Sequence, residues 1–436
     1  MMDIIDLRGK SERELIKKIE GRNSTVSGDI LKTADKIISD VRSDGDRAVF
    51  KYSLKLDGVE LSPESVKISA SEISSAYERV DPALIEVIKK AKKNIENFHS
   101  EQKEKSWFST RQDGVILGQM YRPLEIVGLY VPGGTAAYPS SVLMNAVPAK
   151  AAGVEKIVMI TPPKSEGINP AVLVAANEAG VDEIYRIGGA QGIAALAFGT
   201  SSVPKVDKIV GPGNAYVAAA KKLVYGVCDI DAIAGPSEIA VVGDNTANAS
   251  FIAADLLSQA EHDALASSIL ITDCEELAEE VKKEVKIQAA RLPRQEIISR
   301  SLNRYGAVVI VESVKRAIEL VNVIAPEHLE LCVEDPFSLL GSVKNAGAIF
   351  LGHYASEPLG DYFAGPNHVL PTNGTARFFS PLNVADFIKK SSVISYTKEA
   401  LEKAADDVML FAEAEGLKAH ANAIRARLAD GEINKK

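Results

Sequence analysis

Apolar residues along this chain recur in two different rhythms. Up to about residue 120 they fall at helical spacing between charged faces, as in "ISDVRSDGDRAVFKYSLKL" and "PALIEVIKKAKKNIENFHSEQ". This predicts amphipathic helices with one stripe turned to a core. From about residue 125 short apolar runs alternate with Ala-rich helical stretches, the pattern of βα units around a mostly parallel sheet. The predicted strands are "EIVGLYV", "KIVMIT", "EIYRIG" and "KIVG", and a second series from residue 238 reads "EIAVVGD", "SSILITD" and "AVVIVE". Four segments follow: a mainly helical region 1–120, an α/β unit 121–237, a second one 238–380, and a C-terminal extension 381–436. The stretch "GHYASEPLGDYFAGPNHVLPTNGTARFF" is too long for a simple connector and too aromatic for a disordered one, so it is expected to carry function.

The 436 residues, 46% apolar and 25% charged, describe an ordinary globular protein of more than one domain. A formal charge of −9 argues against a basic nucleic-acid-binding face and toward small-molecule chemistry. Cys228, Cys274 and Cys332 stand in no zinc or disulfide spacing, which fits a reducing compartment. The N-terminus lacks the pattern of a signal peptide and no run is long enough to span a bilayer. A cytoplasmic protein without membrane or nucleic-acid partners is expected.

The candidate chemistry gathers around histidines. In "LLSQAEHDA" a helix end presents Gln259 and His262 three residues apart, on one face. His328 follows Glu327 in "APEHLEL", His368 follows Asp361 in the long loop, and His420 follows Glu415 in "EAEGLKAH", so each has a polar partner able to orient it. Imidazole and carboxylate donors without thiolates suit a zinc site that keeps room for substrate. The glycine-rich turns "RIGGAQGIAA" and "VGPGNAY" could receive phosphate or serve only as tight turns, since neither reads G-x-G-x-x-G.

Taken together, "GLYVPGGTAAYPSSVLMNAVPAKAAGV", "IGGAQGIAALAFGT", "VDKIVGPGNAYV", "IDAIAGPSE", "DLLSQAEHD", "IAPEHLEL", "GDYFAGPNHVLPTNGTARFFSPL" and "EGLKAHANAI" resemble the L-histidinol dehydrogenase family over nearly the whole chain. The resemblance implies an α/β fold of two related Rossmann-like αβα domains, aldehyde-dehydrogenase-like, with a helical N-terminal region and a helical C-terminal extension exchanged in a homodimer. It implies oxidation of L-histidinol to L-histidine through an enzyme-bound aldehyde, the final steps of histidine biosynthesis, with one Zn2+ per subunit and two NAD. The implied zinc ligands are Gln259, His262, Asp361 and His420, the last supplied in the family by the partner subunit. Glu327 and His328 match the acid-base pair. Ser237, His368 and Glu415 match substrate-contacting positions, to which the metal ligands and His328 also belong, and Tyr130, Gln191 and Asn214 match NAD-contacting ones. Leu56 stands where relatives commonly carry an aromatic, and Ala232 where many are bulkier. Two rivals remain: a dehydrogenase of another amino alcohol on the same scaffold, and a zinc-stabilised interaction protein without turnover.

Overall fold

The computed structural model describes residues 2–21, 27–133, 138–233 and 235–433. The chain forms two compact units, one of Met1–Lys103 with Leu124–Phe387 and one of Glu104–Pro123 with Ile388–Lys436. Strand β1 (Asp3–Asp6) opens the first unit, and helices follow. In Gly28–Asp44 the side chains of Ala34, Ile37, Ile38 and Val41 form one buried stripe, the spacing that puts apolar residues on a single helical face. The helix Pro82–Ser100 begins at Asp81, whose carboxylate accepts the Ala83 N–H at 2.8 Å.

The expected helical region ends sooner than residue 120. Residues 107–123 form β2 (Trp107–Thr110) and β3 (Ile116–Pro123), joined through Asp113-Gly114 and paired antiparallel. They belong to the second unit, where β3 also pairs with β14 (Ile388–Ser395). Aromatic and β-branched residues around an Asp-Gly turn favour a hairpin over a helix. Two helices, Lys398–Ala414 and Lys418–Ile433, complete that unit.

In the first unit, β4 (Ile126–Tyr130), β5 (Lys156–Thr161), β6 (Glu183–Arg186), β7 (Lys208–Val210) and β8 (Asp229–Ile230) form a parallel sheet in the order β6-β5-β4-β7-β8. The helices Pro139–Ala152 and Pro170–Glu178 share a core with one face, through Val127, Leu129, Ile157 and Met159. Gly189–Phe198, Ala215–Val224 and Gly28–Asp44 cover the other through Val158, Ile160 and Ile209. Helices thus change face between β4 and β7, the place where doubly wound folds open a crevice at the carboxyl ends of the strands.

The second sheet repeats this plan. Strands β9 (Glu238–Gly243), β10 (Ser267–Thr272), β11 (Ala307–Ile310), β12 (His328–Cys332) and β13 (Ala348–Leu351) run in the order β11-β10-β9-β12-β13, and β1 adds to the outer edge of β11. Every residue of β9, β10, β11 and β12 is buried, as parallel strands covered on both faces must be. The fold that the resemblance implies and the alternation permits, an α/β protein with two related parallel sheets, is the fold found. Among the described residues no helix is long and apolar enough to cross a membrane.

Candidate active site

The residues with the most chemistry lie at the amino ends of β9 and β12. The chain reaches β12 through Ala325, which ends the helix Val314–Ile324 in a left-handed conformation with φ 53°. A residue with a Cβ rarely adopts this geometry, so the surrounding structure must hold it there. Register places His328 opposite Ile239, which sets Glu327 beside Glu238. The Glu238 N–H donates to Glu327 Oε2 at 2.9 Å, and the Glu238 carbonyl lies 3.2 Å from His328 Nδ1. With Nδ1 at that carbonyl, Nε2 is turned toward Asp361, whose Oδ1 is 3.4 Å away. On the other side of β12, Gly347 crosses so close that a Cβ would stand 2.5 Å from the Glu327 carbonyl. That carbonyl accepts the Ala348 N–H at 2.9 Å. Glu327 and His328 therefore open a buried strand rather than cap a helix.

The long loop supplies the opposing wall. Glu357 is buried, and its Oε2 accepts the Ser258 hydroxyl at 2.7 Å. Its N–H donates to Glu330 Oε1 at 2.8 Å. A π-turn over Gly360–Ala364 then carries Asp361 inward. The Asp361 carbonyl lies 3.0 Å from His368 Nδ1, and His368 Nε2 is 3.3 Å from Ser141 Oγ. Ser141 is on the helix that follows β4, so His368 ties this site to the crevice of the first sheet. His328, Glu357 and Asp361 each offer a ligand atom, all within 4.8 Å of one another.

Electrostatics follow from burying so many acids together. Burial pushes the Glu327 carboxyl up. Burial opposes a charge on His328, but Glu327 and Asp361 outweigh it and hold the imidazole above its ordinary range. Asp361 stays below the usual carboxylate range: burial would raise it, and the hydrogen bond and charge of His328 more than offset that. Burial lowers His368. Behind the site, burial raises Asp255 to about 6 and lifts Glu330 and Glu357 too, as expected of clustered carboxyls that cannot all ionise.

Gln259 lies in the last turn of the helix Ala249–Ala260, fully buried, with neither carboxamide atom hydrogen-bonded. His262 follows just beyond the helix with its N–H donating to the Gln259 carbonyl at 3.2 Å. Its side chain is exposed. Ser237 directly precedes β9, where its carbonyl accepts the Ser267 N–H at 3.0 Å.

Tyr130, Gln191 and Asn214 gather at the crevice of the first sheet. The Tyr130 hydroxyl accepts the Gly189 N–H at 3.3 Å. Asn214 caps the helix Ala215–Val224 through Oδ1, which accepts from Tyr216 and Val217 at 3.0 and 3.1 Å. The turn before it comes so close to β4 that a side chain at Gly211 would overlap the Tyr130 carbonyl. A buried Lys221–Asp231 ion pair clamps that turn: Asp231 Oδ2 accepts the Gly211 N–H at 2.7 Å, and Lys221 Nζ donates to the Gly211 carbonyl at 3.0 Å. Both glycine-rich turns are thus tight turns at a crevice mouth. Glu415 and His420 belong to the second unit. They are exposed, Glu415 at the end of the helix Lys398–Ala414 and His420 in the first turn of the next.

Sequence reasoning passed over Ser141, Glu238, Glu330 and Glu357. Glu330 left a trace, an acid inside the apolar run "HLELC". The other three became recognisable only through residues distant in sequence.

Comparison with known proteins bears on the whole arrangement. The family model described as histidinol dehydrogenase matches residues 20–428. A histidinol dehydrogenase of Listeria innocua is 58% identical over 422 residues, 97% of this chain and 98% of its own. One of Caldanaerobacter subterraneus is 55% identical over 427 residues, with 98% and 99% covered. The crystal structure of histidinol dehydrogenase from Elizabethkingia anophelis superposes with a TM-score of 0.93 at 38% identity, covering 98% of this chain and 99% of that one. With the family's sequence from end to end and its fold in both parallel sheets, the chain belongs to the histidinol dehydrogenase family of oxidoreductases.

Proposed function

We propose that the protein oxidises L-histidinol to L-histidine through enzyme-bound L-histidinaldehyde, with zinc as its resident metal and two NAD as electron acceptors. The observation that carries this reading is the Gln259 carboxamide, fully buried with neither atom hydrogen-bonded, next in sequence to Ser258, whose hydroxyl donates to Glu357 of the His328, Glu357 and Asp361 cluster. Buried polar atoms are seldom left so unless a ligand completes them.

The donors present suit zinc. Gln259, His262 and Asp361 would hold it, and the partner subunit's His420 would complete the set in a homodimer with one ion per subunit. When bound, the ion would supply a Lewis-acidic anchor for the substrate's amine and imidazole nitrogens.

The rest is work for the chain's own side chains. Glu327 and Asp361 favour the protonated ring, so His328 first gives up that proton; Nε2 then takes the hydroxyl proton while hydride leaves the substrate carbon for NAD, with Nδ1 held at the Glu238 carbonyl. Glu327 activates the water that adds to the aldehyde. His328 releases the first proton to solvent, and the hydrate then gives a second hydride to a second NAD and its proton to the regenerated His328. Histidinol, water and two NAD become histidine carboxylate, two NADH and three protons, so electrons and charge balance. His368, bridging Asp361 and Ser141, positions the substrate where the second-sheet site meets the crevice assigned to NAD. Ser237 contacts the substrate, and the partner subunit's Glu415 pairs with its cationic group.

A second reading draws on the close set of His328, Glu357 and Asp361, which would place the metal on His328 and deny it the role of base. Metal analysis with an NADH assay separates the two. His262→Asn should lose zinc and turnover together, whereas His328→Asn should retain zinc and lose turnover, and the wild type should yield about two NADH per histidinol. Loss of zinc from His328→Asn as complete as from His262→Asn would overturn the first reading.

A further inference from the structure

Asp57 is an unusual place for an acid. It closes the π-turn Ser53–Asp57 after the helix Asp46–Tyr52 and is partly buried. Among the described residues no cation stands against it. Its hydrogen-bond donor is the Gln191 carboxamide, Nε2 to Oδ2 at 3.2 Å. Burial pushes the carboxyl up to about 6, and the Gln191 bond works against that rise. Gln191 itself is fully buried, with Oε1 lacking any partner. The Asp57 charge also reaches the Tyr130 hydroxyl. An anion, an amide and a phenol thus converge beside the glycine-rich turn that opens the helix Gly189–Phe198.

In a doubly wound dinucleotide domain, the acid that reads a ribose ordinarily stands at the end of the second strand, about 20 residues past the glycine turn. Here the second strand is β5, and it runs from Thr161 straight into Pro162, Pro163 and Lys164. Pro162 is committed to packing, so close to Gly188 that a Cβ there would lie 2.7 Å from its ring. The position that should supply the acid has none.

We propose that Asp57 supplies it from outside the sheet: its carboxylate accepts the ribose hydroxyls of the dinucleotide and rejects a 2′-phosphate, so that it selects NAD over NADP. Gln191 fixes the carboxylate through Oδ2 and leaves Oδ1 for the ligand. A phosphate ester at the same place would bring like charges together in a half-buried site, where their repulsion is poorly screened. This inference rests on the reading of Tyr130, Gln191 and Asn214 as the dinucleotide site.

The test is steady-state kinetics of the zinc-loaded full-length enzyme with L-histidinol saturating and NAD or NADP varied. For Asp57→Asn, KM for NAD should rise about tenfold or more, the range of a hydrogen bond to a charged group, with kcat falling much less. The ratio of kcat/KM for NAD over NADP should narrow by about tenfold or more. Asp57→Glu, which keeps the charge and misplaces it, should weaken NAD while still rejecting NADP, and it decides the matter if the Asn variant does not fold. An unchanged NAD-to-NADP ratio in folded Asp57→Asn overturns the role of Asp57 alone. Absence of saturable NAD binding to the wild type by calorimetry overturns the site reading and this inference together.

Discussion

Replacing Gln259 by Met should change protein stability in opposite directions with and without zinc. The side chain is fully buried, and neither its oxygen nor its nitrogen has a partner. Each unsatisfied buried polar atom costs about 1–3 kcal/mol. Met has nearly the same shape, so little cavity or overpacking term enters. In chelator the variant should therefore be more stable than the wild type by about 2–4 kcal/mol, a rise of several degrees in melting temperature. Zinc should reverse the order. At a free concentration of about 100 times the dissociation constant, a ligand that binds only the folded state stabilises by about 2.7 kcal/mol, and a thioether, a neutral and weak donor outside zinc's usual thiolate, imidazole and carboxylate set, should forfeit most of that gain. Differential scanning fluorimetry in EDTA and in a zinc series reads both arms. A variant that melts below the wild type in EDTA would show that the amide is already satisfied in the folded protein. An undiminished zinc shift would show that Gln259 is no ligand.

Three further outcomes are expected. Gly347→Ala places a Cβ 2.5 Å from the Glu327 carbonyl, so turnover should fall at least tenfold while the circular-dichroism spectrum is kept, because displacing catalytic groups by about 1 Å costs about that much or more; wild-type kcat/KM would refute the close approach. Glu183 is held down at about 2 from 4.5, because Lys67, Lys156 and Tyr185 outweigh the burial that would raise it. Its contribution, about 1–2 kcal/mol after solvent screening, is present above pH 4.5 and lost as pH falls toward 2; the stability gap between wild type and Glu183→Gln in urea titrations should therefore close on acidification, and a gap constant from pH 6 to pH 3 would count against it. Finally, co-refolding His262→Asn with His420→Asn, each inactive alone, should restore about a quarter of wild-type activity. If the partner subunit's His420 completes each site, half the dimers are mixed and one of their two sites is intact; no recovery would place all four ligands on one chain.

Much of this fold was legible because a parallel sheet covered on both faces writes itself as runs such as "KIVMIT" and "SSILIT", which no exposed element could carry. Some strands escaped notice because their sequence serves something else, others because their pairing is distant. Strand β12 begins with His328 and carries Glu330, so the polar residues of the site interrupt its apolar pattern. Strand β1 precedes its neighbour β11 by about 300 residues, a pairing no local rhythm can announce. The hairpin of β2 and β3 did carry its signal, Asp113-Gly114 between aromatic and β-branched residues, but the helical periodicity before it dominated the reading.

The same duplication explains why the site residues divide as they do. Two sheets share one strand order, yet Tyr130 and Asn214 sit at the carboxyl end of the first, and Glu327 and His328 at the amino end of the second. The usual rule puts ligands at carboxyl ends, because helix N-termini and glycine turns there receive phosphate. A nucleotide crevice satisfies that rule. Proton transfer has no need of a helix dipole; it needs buried titratable groups locked in one geometry. The amino ends of β9 and β12 provide that through backbone pairing: the Glu238 N–H holds Glu327, and the Glu238 carbonyl holds His328. The long loop then closes over them with Asp361 and His368. On the proposed assignment, one copy of the plan keeps the nucleotide end while the other turns its opposite end to proton transfer, with Ser141 and His368 joining the two.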